Sequence, residues 1–243
     1  MSDTLFRREL ETFRTEVNGG DQFFYSYLAI RALSSKDRQL LDHLNIAPLF
    51  WMTIMGALLT STIVALGRVF DQRKSAHSLK KLLTIAERNP QIFSKVALRR
   101  RRRGDEAEPP DWLDAFLRRA YEPTARDFRR LKGHAEKWRI IYEAKYRPLR
   151  HKIFAHKQES DEQEVRALMA RTNIRELERL FIFLLSLHDA LWELFENGRK
   201  PVLAPQPYSV KAMLKGSGIA RGRYVQEMIT RQASEFLGHV SQR

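Results

Sequence analysis

The sequence predicts an all-α protein, and three observations carry that reading. Apolar residues recur at the three- and four-residue spacing of an amphipathic helix from the first turn onward, as in Leu5, Phe6, Leu10, Phe13 and Val17. No stretch alternates apolar and polar residues as a half-buried strand does. Helix-capping residues stand ahead of the periodic runs, and Gly or Pro follows several of them.

Taken in order, Ser2 caps a first helix that Gly19-Gly20 is expected to stop. Asp21 then opens a second, with Phe23, Phe24, Tyr27, Leu28, Ile30 and Leu33 as core. Ser35 opens a shorter piece running to Asn45, and Pro48 suits the first turn of the next helix. Residues 46–66 carry no charge, a length that meets the requirement for a membrane span. Against a span, Thr53, Gly56, Ala57, Thr60, Ser61 and Gly67 fall largely on one side, as in close helix packing, and the surrounding chain is amphipathic. A buried central helix is therefore the expectation, with a membrane helix as its rival.

Composition narrows the partners. Forty-three Lys and Arg against twenty-nine Asp and Glu leave a net charge of +14 over 243 residues, which suits a polyanion or an anionic surface. Cysteine is absent, which excludes disulfides and thiolate metal sites and fits a reducing, cytoplasmic setting. Residues 1–20 are charged and periodic rather than leader-like.

Arg99, Arg100, Arg101, Arg102 and Arg103 are adjacent and run into an acidic Pro-Pro segment, so residues 98–110 read as an exposed linker inserted between helices. Its plain use is a solvated loop; its functional use is a grip on RNA backbone. Asp111 caps a helix from Trp112, and after Pro123 a long basic helix runs to about Tyr146. Residues 158–164 turn acidic and 165–169 form a short helical piece. Asn173 or Thr172 caps the most apolar late helix, which Asn197-Gly198 closes. His188 and Trp192 within it read as packing residues. Pro201, Pro205 and Pro207 extend the chain before a basic C-terminal helix. The division expected is 1–198 as the main helical domain and 199–243 as linker and extension.

The stretch richest in chemistry is Arg147-Pro148-Leu149-Arg150-His151-Lys152-Ile153-Phe154-Ala155-His156. A residue before proline is pushed from the helical region and proline suits a first turn, so a helix is expected to start at Pro148. Free amides at that start, with the Arg150 guanidinium, would invite a phosphate. His156 lies six positions beyond Arg150, about 9 Å of rise and roughly 120° of rotation on a helix. An imidazole there can move a proton near neutral pH while the guanidinium stabilises charge on phosphorus.

Arg150-His151-Lys152-Ile153-Phe154-Ala155-His156 resembles the motif of the HEPN superfamily, an arginine and polar residue followed by a histidine. Its context is similar to the abortive-infection branch, of AbiU type. Arg68-Val69-Phe70-Asp71 at the end of the apolar run, and Ser78-Leu79 beyond it, add to the likeness. The resemblance implies an antiparallel helical bundle and a homodimer whose two motifs share one cleft, a composite site for cutting RNA with no metal and no cofactor. It matches Arg150 and His156 to the motif ends and His151 to the polar position, where Asn or Asp is commoner. Arg147, Lys152 and the arginine run would bind RNA. Arg68 and Asp71 are either an ion pair of little weight or groups that orient His156. His77 reads as a surface or capping residue.

The implied role is a toxin or anti-phage effector, silenced in some systems by an antitoxin or a modifying enzyme, with no membrane partner. The competing reading is an inactive HEPN module that binds nucleic acid or protein. There is no His-Glu-x-x-His, Walker loop or dinucleotide-binding glycine pattern to suggest other chemistry.

Overall fold

The computed structural model describes residues 2–73, 76–104, 108–151, 167, 170, 172–216 and 224–241. Among the described residues there is no strand. The protein is all-α, built from α1 (Ser2–Lys36), α2 (Arg38–Leu44), α3 (Pro48–Val69), α4 (Leu79–Arg88), α5 (Lys95–Arg103), α6 (Leu113–Arg119), α7 (Ala125–Ile141), α8 (Arg147–Leu149), α9 (Ile174–Asn197), α10 (Val210–Leu214) and α11 (Tyr224–Ser241). A 3-10 turn occupies Pro90–Phe93 and a π-helical turn Tyr142–Tyr146.

The expected break at Gly19-Gly20 does not occur: α1 runs straight through it. Each glycine costs a helix about 1 kcal/mol relative to alanine. Phe13 and Val17 before the pair and Phe24 and Tyr25 after it are all buried, each contributing roughly 1.5–3 kcal/mol, so packing outweighs local preference. Asp21 is consequently not a cap but a buried carboxylate, accepting a hydrogen bond from Gln226 Nε2 at 3.1 Å. The next helix is capped by Asp37, whose carboxylate accepts from the Leu40 amide at 3.1 Å, and not by Ser35.

The chain forms two compact units. The first comprises Met1–Glu16, Arg68–Ala144 and Leu180–Pro205. Its core is aromatic: Phe6 meets Phe93 edge-on at 5.1 Å and Phe195 at 5.0 Å, and Phe93 meets Phe128 at 5.3 Å. The second comprises Val17–Gly67, Lys145–Arg179 and Gln206–Arg243. There the Tyr25 and Tyr208 rings lie 5.4 Å apart, and the Tyr208 hydroxyl bonds Thr230 Oγ1 at 2.9 Å. Leu237 of α11 packs with Leu40 and Leu44 of α2. The C-terminal helix is thus part of the body of this unit.

α3 overturns the expectation of a buried central helix. Only 22% of its most apolar window is buried, with Leu49 78% and Met52 71% exposed just beyond Ile46 at 79%. Burial is confined to the final turns, at Thr62, Ile63, Ala65, Leu66 and Val69. The stripe at Thr53, Gly56 and Ala57 faces outward, uncovered by any described helix of this chain. By length and composition alone α3 could cross a membrane.

Candidate functional site

The motif is delivered by one long helical run. Thr124 and Asp127 form a reciprocal capping box at its start. Burial pushes the Asp127 carboxyl up, but the Thr124 amide and hydroxyl and the Tyr121 hydroxyl outweigh it and hold the group below its usual range. From Ala125 the backbone is α-helical to Ile141, widens to a π turn over Tyr142–Tyr146, and continues as helix through Arg147–Leu149 to Arg150 and His151.

This corrects the helix start expected at Pro148. Arg147 stays helical despite preceding proline, and the change in hydrogen-bond register takes the place of a chain break. Pro148 lacks the N–H that an uninterrupted α-helix would need, and the π turn over Tyr142–Tyr146 shifts the register just before it. The Arg150 amide bonds the Arg147 carbonyl, so no row of free amides waits there for a phosphate.

Side chains around the run fix it in place. Tyr146, fully buried, donates its hydroxyl to Glu176 Oε1 at 2.9 Å, and Lys145 Nζ reaches the other oxygen at 2.6 Å. Burial and then Glu176 push the Tyr146 phenol up, keeping it a neutral donor. Arg150 is half-buried and lies flat against the backbone of Gly67 in α3. A Cβ at position 67 would sit 2.6 Å from its Nη1 and 2.7 Å from its Cδ. No described carboxylate lies within ion-pair distance of the Arg150 guanidinium. Arg147 Nε–H donates to His151 Nε2 at 3.4 Å, a bond that requires that nitrogen unprotonated. His156 and Lys152 lie outside the described residues, as does the acidic stretch 158–164.

Arg68 and Asp71 do not pair with each other. Arg68 Nε donates to Glu16 Oε2 of α1 at 2.6 Å. Asp71 takes the guanidinium of Arg73 in a fork, with bonds of 3.0 and 2.6 Å to its Oδ2. His77 is not the cap of α4, a role taken by Ser78. Its Nδ1 lies 2.9 Å from Oε2 of Glu9, a buried carboxylate whose Oε1 is 2.9 Å from Lys81 Nζ. Burial raises Glu9, yet Lys81 and His77 together hold it below the ordinary glutamate value.

The arginine run requires the largest correction. Arg99–Arg103 belong to α5, a helix and not a linker. The Arg101 side chain is 8% exposed and donates to the carbonyls of Ile92 and Phe195, both at 2.8 Å, and to Asp3 at 3.2 Å. Its guanidinium also lies 4.1 Å over the Phe195 ring. Arg102 Nε donates to the Glu196 carbonyl at 2.9 Å and its Nη2 to Asn197. These two side chains satisfy the orphan carbonyls and negative pole at the C-terminus of α9, where Gly198 turns the chain at φ +58°. They are structural groups, whereas Arg99 and Arg100 form exposed pairs with Asp114 and Asp3.

Residues 4–213 match the HEPN family described as AbiU2. The chain belongs to that family. No curated protein and no solved structure matches it. The AbiU2 match takes in Arg68, Asp71, Arg150 and His156, and runs past residue 198 into α10.

In this AbiU2 protein sequence reasoning overlooked Gly67, whose bare backbone lets Arg150 lie close, and the clamp of Tyr146 and Lys145 on Glu176. Gly67 stood in the small-residue stripe, which was the available signal. Nothing local to Tyr146 announced its partner thirty positions on. Among the described residues no group of three His, Asp or Glu is gathered as metal ligands.

Proposed function

We propose that this AbiU2 protein is an endoribonuclease that cuts RNA by attack of the ribose 2′-OH, with Arg150 on the scissile phosphate and His156 moving the proton. The 2′ oxygen bonds phosphorus as its proton passes to a base, and the bond to the 5′ oxygen breaks as that oxygen is protonated. The products are a 2′,3′-cyclic phosphate and a 5′-hydroxyl. DNA, lacking the hydroxyl, survives.

The observation that carries this reading is Arg150 itself: half-buried, lodged against Gly67, and matched by no described carboxylate. A guanidinium so placed is left for an external anion, and its planar fork fits a phosphate. The net charge of +14 supports a polyanionic substrate, and Arg147 ahead of the motif and Lys152 within it follow its backbone. In this reading two copies pair so that both motifs face one cleft, and the outward apolar face of α3 supports self-association. The protein then works in the cytoplasm as an anti-phage or toxin-like effector, held in check by an antitoxin or a modifying enzyme.

The test is incubation of single-stranded RNA with purified protein in EDTA, beside His156→Ala. Cleavage about 100-fold slower in the variant, with cyclic phosphate ends in the wild type, is expected. Equal decay with both proteins removes the nuclease. RNA retained but uncut by the wild type makes the protein a binding module instead.

A further inference from the structure

Away from the motif, the first unit holds a cleft between α4 and α7 with a volume of about 640 Å³. That lies within the roughly 300–1,000 Å³ range of small-molecule sites. Val69, Phe70, Leu79 and Leu83 supply apolar walls, while Lys80, Lys132 and Arg139 stand among its polar lining against the single carboxylate of Glu136. The cations are not equivalent. Lys132 is taken by Glu87, and Arg139 holds Glu136 in a two-point fork with Nε–Oε2 at 2.7 Å. Lys80 has no carboxylate within ion-pair distance among the described residues, although its charge helps the Arg139 fork hold Glu136 below its usual range.

Gly133 offers a place to probe the cleft. It lies within α7 on the cleft lining, at a position where glycine is poor for a helix, yet a Cβ there would meet nothing within 4 Å. A side chain added there would extend into open space beside the cleft without a clash, so the position can be filled as a probe of it. Phe70, only 3% exposed, stacks on Tyr142 at 5.2 Å and 20° and forms part of the cleft floor.

We infer that the α4–α7 cleft binds a small amphipathic anion, with an apolar body lying against Phe70, Leu79 and Leu83 and one phosphate or carboxylate drawn to Lys80. Two sources share that chemistry: a free mononucleotide and a medium-chain acyl carboxylate. Inorganic phosphate offers nothing to the apolar walls and binds weakly, because the lining provides one uncommitted cation where tight capture of a bare anion takes several.

Calorimetric titration of the full chain with adenosine monophosphate, octanoate and inorganic phosphate tests this directly. Saturable one-to-one binding of the nucleotide or of octanoate, at least about tenfold tighter than phosphate, is expected, and whichever binds better identifies the source. Gly133→Leu, which fills the mouth, weakens that binding about tenfold or more, while the melting temperature holds or rises because leucine is the better helix former. Lys80→Glu, at an exposed site that folding does not need, weakens it by a similar factor. Binding of neither carbon-bearing anion, or binding indifferent to both substitutions, overturns the site.

Discussion

Two arginine-bearing helices of this protein look alike in sequence and behave in opposite ways. In α5 the Arg101 guanidinium is turned inward and spends its donors on the Ile92 and Phe195 carbonyls, with Arg102 doing the same for Glu196. After α8, Arg150 lies along Gly67 with no described carboxylate to neutralise it. The distinction comes from what faces each arginine, not from local charge density. The C-terminus of a 24-residue helix presents unpaired carbonyls and partial negative charge, which draw cations inward even from a run of five. A glycine backbone presents room but no charge, so an arginine resting on it gains no ion pair there.

The largest effects come from deleting one arginine of each kind and reading both activity and stability. Arg150→Ala is expected to slow RNA cleavage about a thousandfold, the scale for loss of a group that stabilises transition-state charge, and to leave the melting temperature nearly unchanged. Arg101→Ala is expected to do the reverse, since it strips two carbonyls of their donor and removes the cation over Phe195. A loss of about 3 kcal/mol, or roughly 10 °C in Tm, follows for a protein of this size. Urea unfolding and a single-turnover cleavage assay measure the pair. If Arg101→Ala melts like the wild type, the capping role assigned to the run is wrong.

Much of the fold was legible because its punctuation is local. Pro48 opens α3, Pro123 stands just ahead of α7, Asn173 caps α9 through a bond to the Arg175 amide at 2.9 Å, and Gly198 closes it. What failed depended on partners distant in sequence. Gly19-Gly20 is a stop signal that buried neighbours override, and Pro148 is a break signal that the π turn absorbs. The fate of Arg101 was set by Phe195, ninety-four positions away, which no window of sequence contains. Arg150 could be named from its motif, but its seat on Gly67 could not, because a small residue in an apolar stripe reads the same whether it receives a helix or a guanidinium.

Gly67→Ala sharpens the comparison by leaving Arg150 in the chain and moving it. The added methyl would stand 2.6 Å from Nη1 and 2.9 Å from Cζ, closer than carbon atoms tolerate, so the guanidinium must shift. Displacing a phosphate-binding group by about 1 Å commonly slows a reaction by roughly a hundredfold, and a tenfold to hundredfold loss of cleavage is expected. Stability changes little, since alanine is the better helix former and arginine is flexible. Combined with Arg150→Ala, the glycine substitution should have no further effect, because the two act through one group. Additive losses in that cycle would mean that Gly67 matters for some reason other than the arginine lying on it.

The smallest effect separates the members of the α5 run from one another. Arg100 is 73% exposed and bonds Asp3 at 2.7 Å, while Asp3 keeps Arg101 as a second partner. An exposed pair of this kind contributes up to about 0.5 kcal/mol, so Arg100→Ala should lower Tm by a degree or two. Its bearing on RNA is read separately, from the slope of log affinity against log salt, which falls by about 0.7 for each cation withdrawn from a single-stranded backbone. A shallower slope assigns Arg100 to the RNA path even though its neighbour Arg101 is interior, and an unchanged slope leaves the whole run to the architecture of the first unit. A loss of stability as large as that of Arg101→Ala would break the distinction, because the five arginines would then be acting as one cooperative group and not as an inner and an outer set.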